Sequence, residues 1–219
     1  MLDPFDKITV DTPAGVYVIA LHYDIDAPIP DYTDDGGFVY LGDGRTIAAQ
    51  YGDASHDVAD LLRRHNATND SLWDHEHRSA AAIGRYLRIR HGLAGVQEVV
   101  HSGDHYHAQP PCTDRHHGIE GMAWAPTDAA RPEDYTRGIV ATYDAWANGN
   151  VYGYIVTSPD GQEIDSCWDF YADPAEPLTA DAPHGLAYPV SQARAAIDAD
   201  VDQRTAQANT AGAGLIGLI

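Results

Sequence analysis

The spacing of apolar and polar residues predicts most of the elements of this chain. Gly15 to Tyr23 (GVYVIALHY), rich in β-branched and aromatic residues, predicts a central strand, followed by a Pro- and Asp-rich loop through Gly37. Phe38 to Leu41 and Arg45 to Tyr51 flank Gly42-Asp43-Gly44, the pattern of a hairpin. Ser55 caps a short helix in which Val58, Leu61 and Leu62 share a face and Asn66 marks the end. A longer helix is expected from about Ser71 to His91, with Ala80, Ile83 and Leu87 inward and Arg78, Arg85, Arg88 and Arg90 forming the one basic stretch. Those arginines are expected to pair internally or to solvate a helix face.

Val96 to Val100 and Ile119 to Trp124 read as strands, with an irregular loop from His101 to Gly118 between them. Pro132 opens a helix in which Tyr135, Ile139, Tyr143 and Trp146 recur at spacings of four and three, and Gly149 stops it. Val151 to Thr157 and Glu163 to Phe170 then flank Ser158-Pro159-Asp160-Gly161, turn chemistry that predicts an antiparallel hairpin. A last helix is expected near Pro189 to Gln207, with Val190, Ala193, Ile197 and Val201 on one side. The sum is an α+β fold, a central antiparallel sheet with about four helices packed on it, in a single domain over residues 1–219. The 173–189 stretch reads as a linker draped over the body, ahead of the C-terminal helix and an apolar tail.

Charge changes what this fold is expected to do. Thirty-three Asp and Glu stand against 13 Lys and Arg, a formal net charge of −20, and Lys7 is the only lysine. Such a field repels nucleic acid and attracts basic partners. Its sources include adaptation of the surface to a saline or high-GC host, mimicry of a phosphate array, and divalent-cation binding, although no EF-hand spacing occurs. The N-terminus lacks the basic and apolar regions of a signal peptide and no apolar run is long enough to span a bilayer, so a soluble protein of the cytoplasm is expected. The apolar tail Gly214 to Ile219 is read as a docking strand, a contact for homo-oligomers, or a disordered end.

The stretch Tyr143 to Tyr171 (YDAWANGNVYGYIVTSPDGQEIDSCWDFY) resembles a group of small uncharacterised proteins of phages, archaeal viruses and plasmids. In that group a helix ending in Tyr-Asp leads to a VYGY-like strand, a turn and a DSCWGFYG-like strand. Val151-Tyr152-Gly153-Tyr154 and Asp165-Ser166-Cys167-Trp168 match, while Asp169 and Ala172 stand where the group has glycine. His101-Ser102-Gly103 and Pro111-Cys112 are similar to its HSG and SCPWDSG segments, but Thr113 to Gly118 (TDRHHG) does not continue the second. The resemblance implies an accessory gene of a mobile element and supplies no catalytic residues.

Three sets of side chains are candidates for chemistry or binding. The segment from His101 to His117 holds His101, Asp104, His105, His107, Cys112, Asp114, His116 and His117. Zinc is the possible cofactor here, with His101, His105, His107, Cys112 and His116 as ligands, and His105 and His107 on one side of an extended segment. The spacing matches neither a C-x-x-C nor an H-E-x-x-H pattern, and a polar surface loop is the competing reading. Cys112 with His101, or Cys167 with a loop histidine, is a conceivable nucleophile pair, since a nearby imidazole lowers a thiol pKa. The carboxylates Asp24, Asp26, Asp31, Asp34 and Asp35 crowd an irregular loop and form the candidate partner-binding patch, whereas Asp198, Asp200 and Asp202 diverge around a helix.

The expected function is therefore that of a non-enzymatic acidic binding protein with a basic protein partner, a DNA-mimicking inhibitor of a host factor being one form of it. A metal-binding protein or metal-dependent hydrolase, and a minor structural component of a virion, are the alternatives.

Overall fold

The computed structural model describes residues 3–30, 36–42, 46, 48–67, 79–114, 118–171 and 185–216. Their contacts group the chain into two compact units, one made of Met1–Ala27 with Gly149–Ile219 and the other of Pro28–Asn148. The second interrupts the sequence of the first between two strands that pair with each other. The class is α+β, with four helices and two antiparallel sheets among the described residues. The strands expected in one sheet are thus divided between two.

In the first unit, β1 (Asp6–Thr12), β2 (Gly15–Tyr23), β8 (Val151–Thr157) and β9 (Glu163–Tyr171) form a sheet in the order β1-β2-β8-β9. Pairs such as Ile19↔Val156, Leu21↔Tyr154 and Tyr23↔Tyr152 fix the register of β2 on β8. Strand alternation then sends Tyr17, Ile19 and Leu21 to the same face as Tyr152, Tyr154 and Val156. Helix α4 (Ala187–Ile216) covers that face with Val190, Ala193 and Ile197, all buried. Val190 and Ile197 each contribute about 1.5–3 kcal/mol by leaving water, and the Ala193 methyl less.

The helix runs well past the expected Gln207, so residues 214–216 of the apolar tail are helical and not a strand; 217–219 lie outside the described residues. Nothing in Thr205 to Ala211 breaks a helix, and the Ala-rich sequence favours its continuation. Strand β1 was not expected from the pattern, although Ile8 and Val10 alternate with Lys7, Thr9 and Asp11 and pack toward α4.

In the second unit, β3 (Gly37–Tyr40), β4 (Ala49–Tyr51), β5 (Ala94–Ser102), β6 (His105–Gln109) and β7 (Gly121–Ala125) form a sheet in the order β4-β3-β7-β5-β6. Helices α1 (Ser55–Ala67) and α2 (Ala80–Arg90) bury Val58, Leu61, Leu62, Ile83 and Leu87 against Val39, Met122 and Trp124 on one face. Helix α3 (Pro132–Ala147) covers the other, where Ile139, Val140 and Tyr143 meet Phe38, Tyr40, Val99 and Tyr106. A sheet covered on both faces explains why all four residues of β3 and all five of β7 are buried.

Two expectations are corrected here. Helix α2 starts at Ala80 because Ser79 is extended and its side chain accepts the Ala82 N–H at 3.2 Å, which makes Ser79 the cap. Residues 68–78, including the expected start at Ser71, lie outside the described residues. The segment from His101 also does not stay irregular: β6 pairs with β5 from Ser102↔His105 to Glu98↔Gln109. The buried Tyr106 between exposed His105 and His107 is the alternation that could have announced it.

A part-buried polar clamp holds α4 to its sheet. The Tyr17 hydroxyl, fully buried, donates to Asp200 Oδ2 at 2.7 Å, and Arg204 Nε donates to the same oxygen at 2.6 Å. Arg204 also reaches Asp160 in the β8–β9 turn at 2.5 Å. The Tyr17 hydrogen bond first, and Arg204 second, hold the Asp200 carboxyl below its ordinary 3.8, while burial first, and Asp200 second, raise the Tyr17 phenol above its ordinary 10.0. A depressed carboxyl stabilises the fold above pH 3.8 and loses that contribution as acid protonates it. A raised phenol contributes below pH 10.0 and loses that contribution as alkali ionises it.

Replacing Asp200→Ala leaves the Tyr17 hydroxyl without its acceptor and is expected to cost about 1–3 kcal/mol in urea unfolding, and Tyr17→Phe, which removes a hydrogen bond to an ionised carboxylate, about 1.5–3 kcal/mol. The difference between wild type and Asp200→Ala should be full near neutrality and shrink below pH 3.8.

Candidate functional site

The hairpin β8–β9 carries the densest local geometry in the first unit. Gly153 lies opposite His22 on β2, on the face that alternates with Tyr152 and Tyr154 and so points away from α4. A Cβ at Gly153 would fall inside the Trp168 ring, so the glycine is what lets Trp168 lie across β8. Trp168 comes within 5.9 Å of the buried His22 ring, measured between centroids. Cys167, opposite Tyr154, is exposed.

The register of β8 on β9 shifts between Tyr152↔Phe170 and Tyr154↔Cys167, placing one extra residue on β9. Asp169 absorbs that bulge with φ of 63°, the left-handed region that favours glycine. The Asp169 N–H donates to Asp24 Oδ2 at 3.3 Å, which brings the acidic loop after β2 to the bulge. Burial, then Asp169 and then Asp24, raise the Tyr171 phenol above its ordinary value.

Of the expected partner-binding patch, Asp24 is half-buried and Asp26 exposed, and Ile25 between them is 70% exposed. Asp31, Asp34 and Asp35 lie outside the described residues. Asp169 joins Asp24 here, a neighbour that the sequence spacing did not suggest. Asp198 and Asp202 are exposed on α4, while Asp200 is taken up by the clamp.

The loop histidines are spread over separate surfaces. The His101 ring packs on Tyr106 at 5.0 Å, and the His101 N–H donates to Glu120 Oε2. His105 and His107 share the other face of β6, with ring centroids 6.4 Å apart. Cys112 packs with the α1 and α2 cluster, and its N–H donates to the buried Glu98 at 2.8 Å. Cys112 therefore belongs to one side of the sheet and His101 to the other, so they form no nucleophile pair and no shared ligand set. His116 and His117 lie outside the described residues. Among the described residues no group of three or more His, Cys, Asp and Glu side chains could hold a metal ion.

Tyr143-Asp144 at the end of α3 organises this end of the second unit. Tyr143 is fully buried, with ring centroids 4.6 Å from Phe38 and 4.9 Å from Tyr106. Burial, then the phenols of Tyr106, Tyr51 and Tyr40, push its hydroxyl well above the usual range. Asp144 Oδ1 accepts the Tyr106 N–H at 2.8 Å and Asn148 Nδ2 at 3.0 Å, and Oδ2 lies 3.2 Å from His105 Nδ1. Asn148 Nδ2 also donates to the Asp104 carbonyl, so the helix end wraps the tip of the β5–β6 hairpin.

Of the two expected fates of the basic stretch, the described arginines take the second. Arg85, Arg88 and Arg90 of α2 are exposed and make no ion pair among the described residues, so they solvate the helix face; Arg78 lies outside those residues. No helix among the described residues is long and apolar enough to cross a membrane. Comparison of the chain with protein-family models, curated proteins and solved structures gives no match.

The left-handed backbone at Asp169 yields a direct test. Asp169→Gly is expected to keep or raise stability by up to about 1 kcal/mol, and Asp169→Val to lose about 1–2 kcal/mol, in thermal or urea unfolding. Equal losses from both would contradict the strained bulge.

Proposed function

We propose that the protein is a non-enzymatic acidic binding protein of a virus or mobile element, working in the cytoplasm of the host cell by presenting carboxylates to a basic protein partner. The observation that carries this reading is how unevenly the charge is compensated. The unit of Met1–Ala27 and Gly149–Ile219 holds 15 Asp and Glu against three Lys and Arg, a net of −12. The unit of Pro28–Asn148 holds 18 against ten, a net of −8 in a longer stretch of chain.

Arg204 is spent on Asp160 and Asp200 inside the first unit, while Asp26, Glu163, Asp169, Asp198 and Asp202 remain exposed there. In the second unit Arg63 pairs with Asp60, and Arg131 and Arg137 both pair with Asp134. An uncompensated carboxylate field steers basic surfaces and excludes nucleic acid. A DNA-binding host factor whose Arg and Lys normally meet phosphates is the partner class that such a field suits best. The resemblance of the β8–β9 hairpin to phage, archaeal-virus and plasmid proteins supports the origin.

Capture of partners from a host lysate on the immobilised protein, at low and at high salt, tests the reading. Retention should fall steeply with salt and should fall at low salt in the triple variant Asp26→Asn, Glu163→Gln, Asp169→Asn. Capture that is unchanged in both comparisons removes the electrostatic mechanism.

A further inference from the structure

We propose that His105 and His107 form a two-imidazole site for a divalent transition-metal ion, with zinc as the ion to test, and that Asp144 is the positioning residue for the first imidazole. The inference goes beyond the acidic-binding reading and does not depend on it.

Strand alternation puts both rings on one face of β6 while Tyr106 between them is buried in the α3 layer. The rings are 6.4 Å apart between centroids and inclined by 34°. With zinc–nitrogen bonds of about 2.0–2.1 Å, two imidazoles bound tetrahedrally have centroids about 5 Å apart. The rings must therefore close by little more than an ångström. Both residues are exposed, and the His105 side chain keeps 59% of its accessible surface, so a change of side-chain torsion suffices.

Asp144 supplies what an isolated surface pair lacks. Its Oδ2 lies 3.2 Å from His105 Nδ1, and because a carboxylate only accepts, this contact favours the tautomer that carries the proton on Nδ1 and leaves the Nε2 lone pair for a metal. This carboxylate–imidazole arrangement orients a metal-binding histidine and raises its basicity. Asp144 is itself fixed, because the Tyr106 N–H and Asn148 Nδ2 hold its other oxygen and the side chain retains only 24% of its surface. Imidazole nitrogen selects zinc, copper or nickel over the hard cations that prefer carboxylates. With no third side-chain ligand among the described residues, water completes the coordination, and binding is weaker and more exchangeable than at a closed four-ligand site.

The experiment is a calorimetric titration of tag-free, chelator-treated protein with zinc chloride, in excess magnesium chloride so that carboxylate association is already satisfied. One saturable event per chain is expected, lost in His105→Ala and in His107→Ala, both exposed positions whose folding is checked by circular dichroism. Imidazole nitrogen spectra should show zinc shifting Nε2 of these two histidines and of no others. Asp144→Asn, in which an amide oxygen can still accept the Tyr106 N–H, should weaken zinc about 10- to 100-fold with the fold retained. No saturable event, or an event that survives in the His105→Ala, His107→Ala double variant, overturns the site. Unchanged affinity in Asp144→Asn overturns the positioning role.

Discussion

The pairing of β2 with β8 is the constraint on which the rest of the first unit depends. Tyr23 meets Tyr152 across more than a hundred residues of intervening chain. Closing a loop of that length as flexible chain costs about 4 kcal/mol. The offset is local: Tyr17, Ile19 and Leu21 acquire the apolar partners that β8 and α4 carry. The intervening residues form a unit with their own sheet and their own two buried clusters. An insert that organises itself shortens the effective loop, and the Asp24 N–H to Val151 carbonyl bond at 2.8 Å closes its stem at the point where the chain leaves and returns. Without β8 the strand β2 would keep only β1 as a neighbour, and a two-stranded ribbon is marginal in water.

The same strand pair sets the hairpin motif in place. Gly153 is glycine because Trp168 occupies the volume a side chain would need, and Trp168 can reach it because the bulge at Asp169 turns the strand. Asp24 then takes the Asp169 N–H. A motif that reads as a string of unusual residues is therefore one mechanical arrangement: a small residue, the large one that covers it, and a left-handed residue that permits the geometry. Because each of these residues has a packing reason, the motif does not by itself mark a catalytic site.

The legibility of the fold follows where the sequence signal was local. The β8–β9 hairpin is announced by Pro-Asp-Gly turn chemistry and by alternation on both sides, and α3 by an apolar spacing of three and four with proline at its start. What stayed hidden depends on partners far away in sequence. The division into two sheets rests on which strands pair, and both predicted runs of strand look alike from inside one sheet or two. Strand β1 stayed hidden because only Ile8 and Val10 stand between its polar outward positions Lys7, Thr9 and Asp11, and β6 because five residues rich in histidine resemble a polar loop until Tyr106 is seen packing on Tyr40 and Tyr143. The proposed acidic patch and ligand set were assembled from neighbours in sequence. The structure keeps Asp24 but joins it to Asp169, and it separates His101 and Cys112 while keeping His105 beside His107.

The two surfaces proposed for function obey different physics, which is why one charge count cannot describe both. Carboxylates in an uncompensated field act at a distance, with little demand on geometry and strong sensitivity to salt. The imidazole pair acts only at contact, where an ångström decides whether an ion is held, and its selectivity comes from nitrogen and not from net charge. Arg204 illustrates the first regime: by spending its charge on Asp160 and Asp200 it stabilises the fold and leaves the surrounding carboxylates unanswered. Asp144 illustrates the second, since its value lies in aiming one nitrogen and it is anchored by two donors before His105 reaches it. A protein with so few cations can bind a basic partner by leaving acids free, whereas the proposed imidazole site withdraws one acid from that pool and sets it behind a histidine.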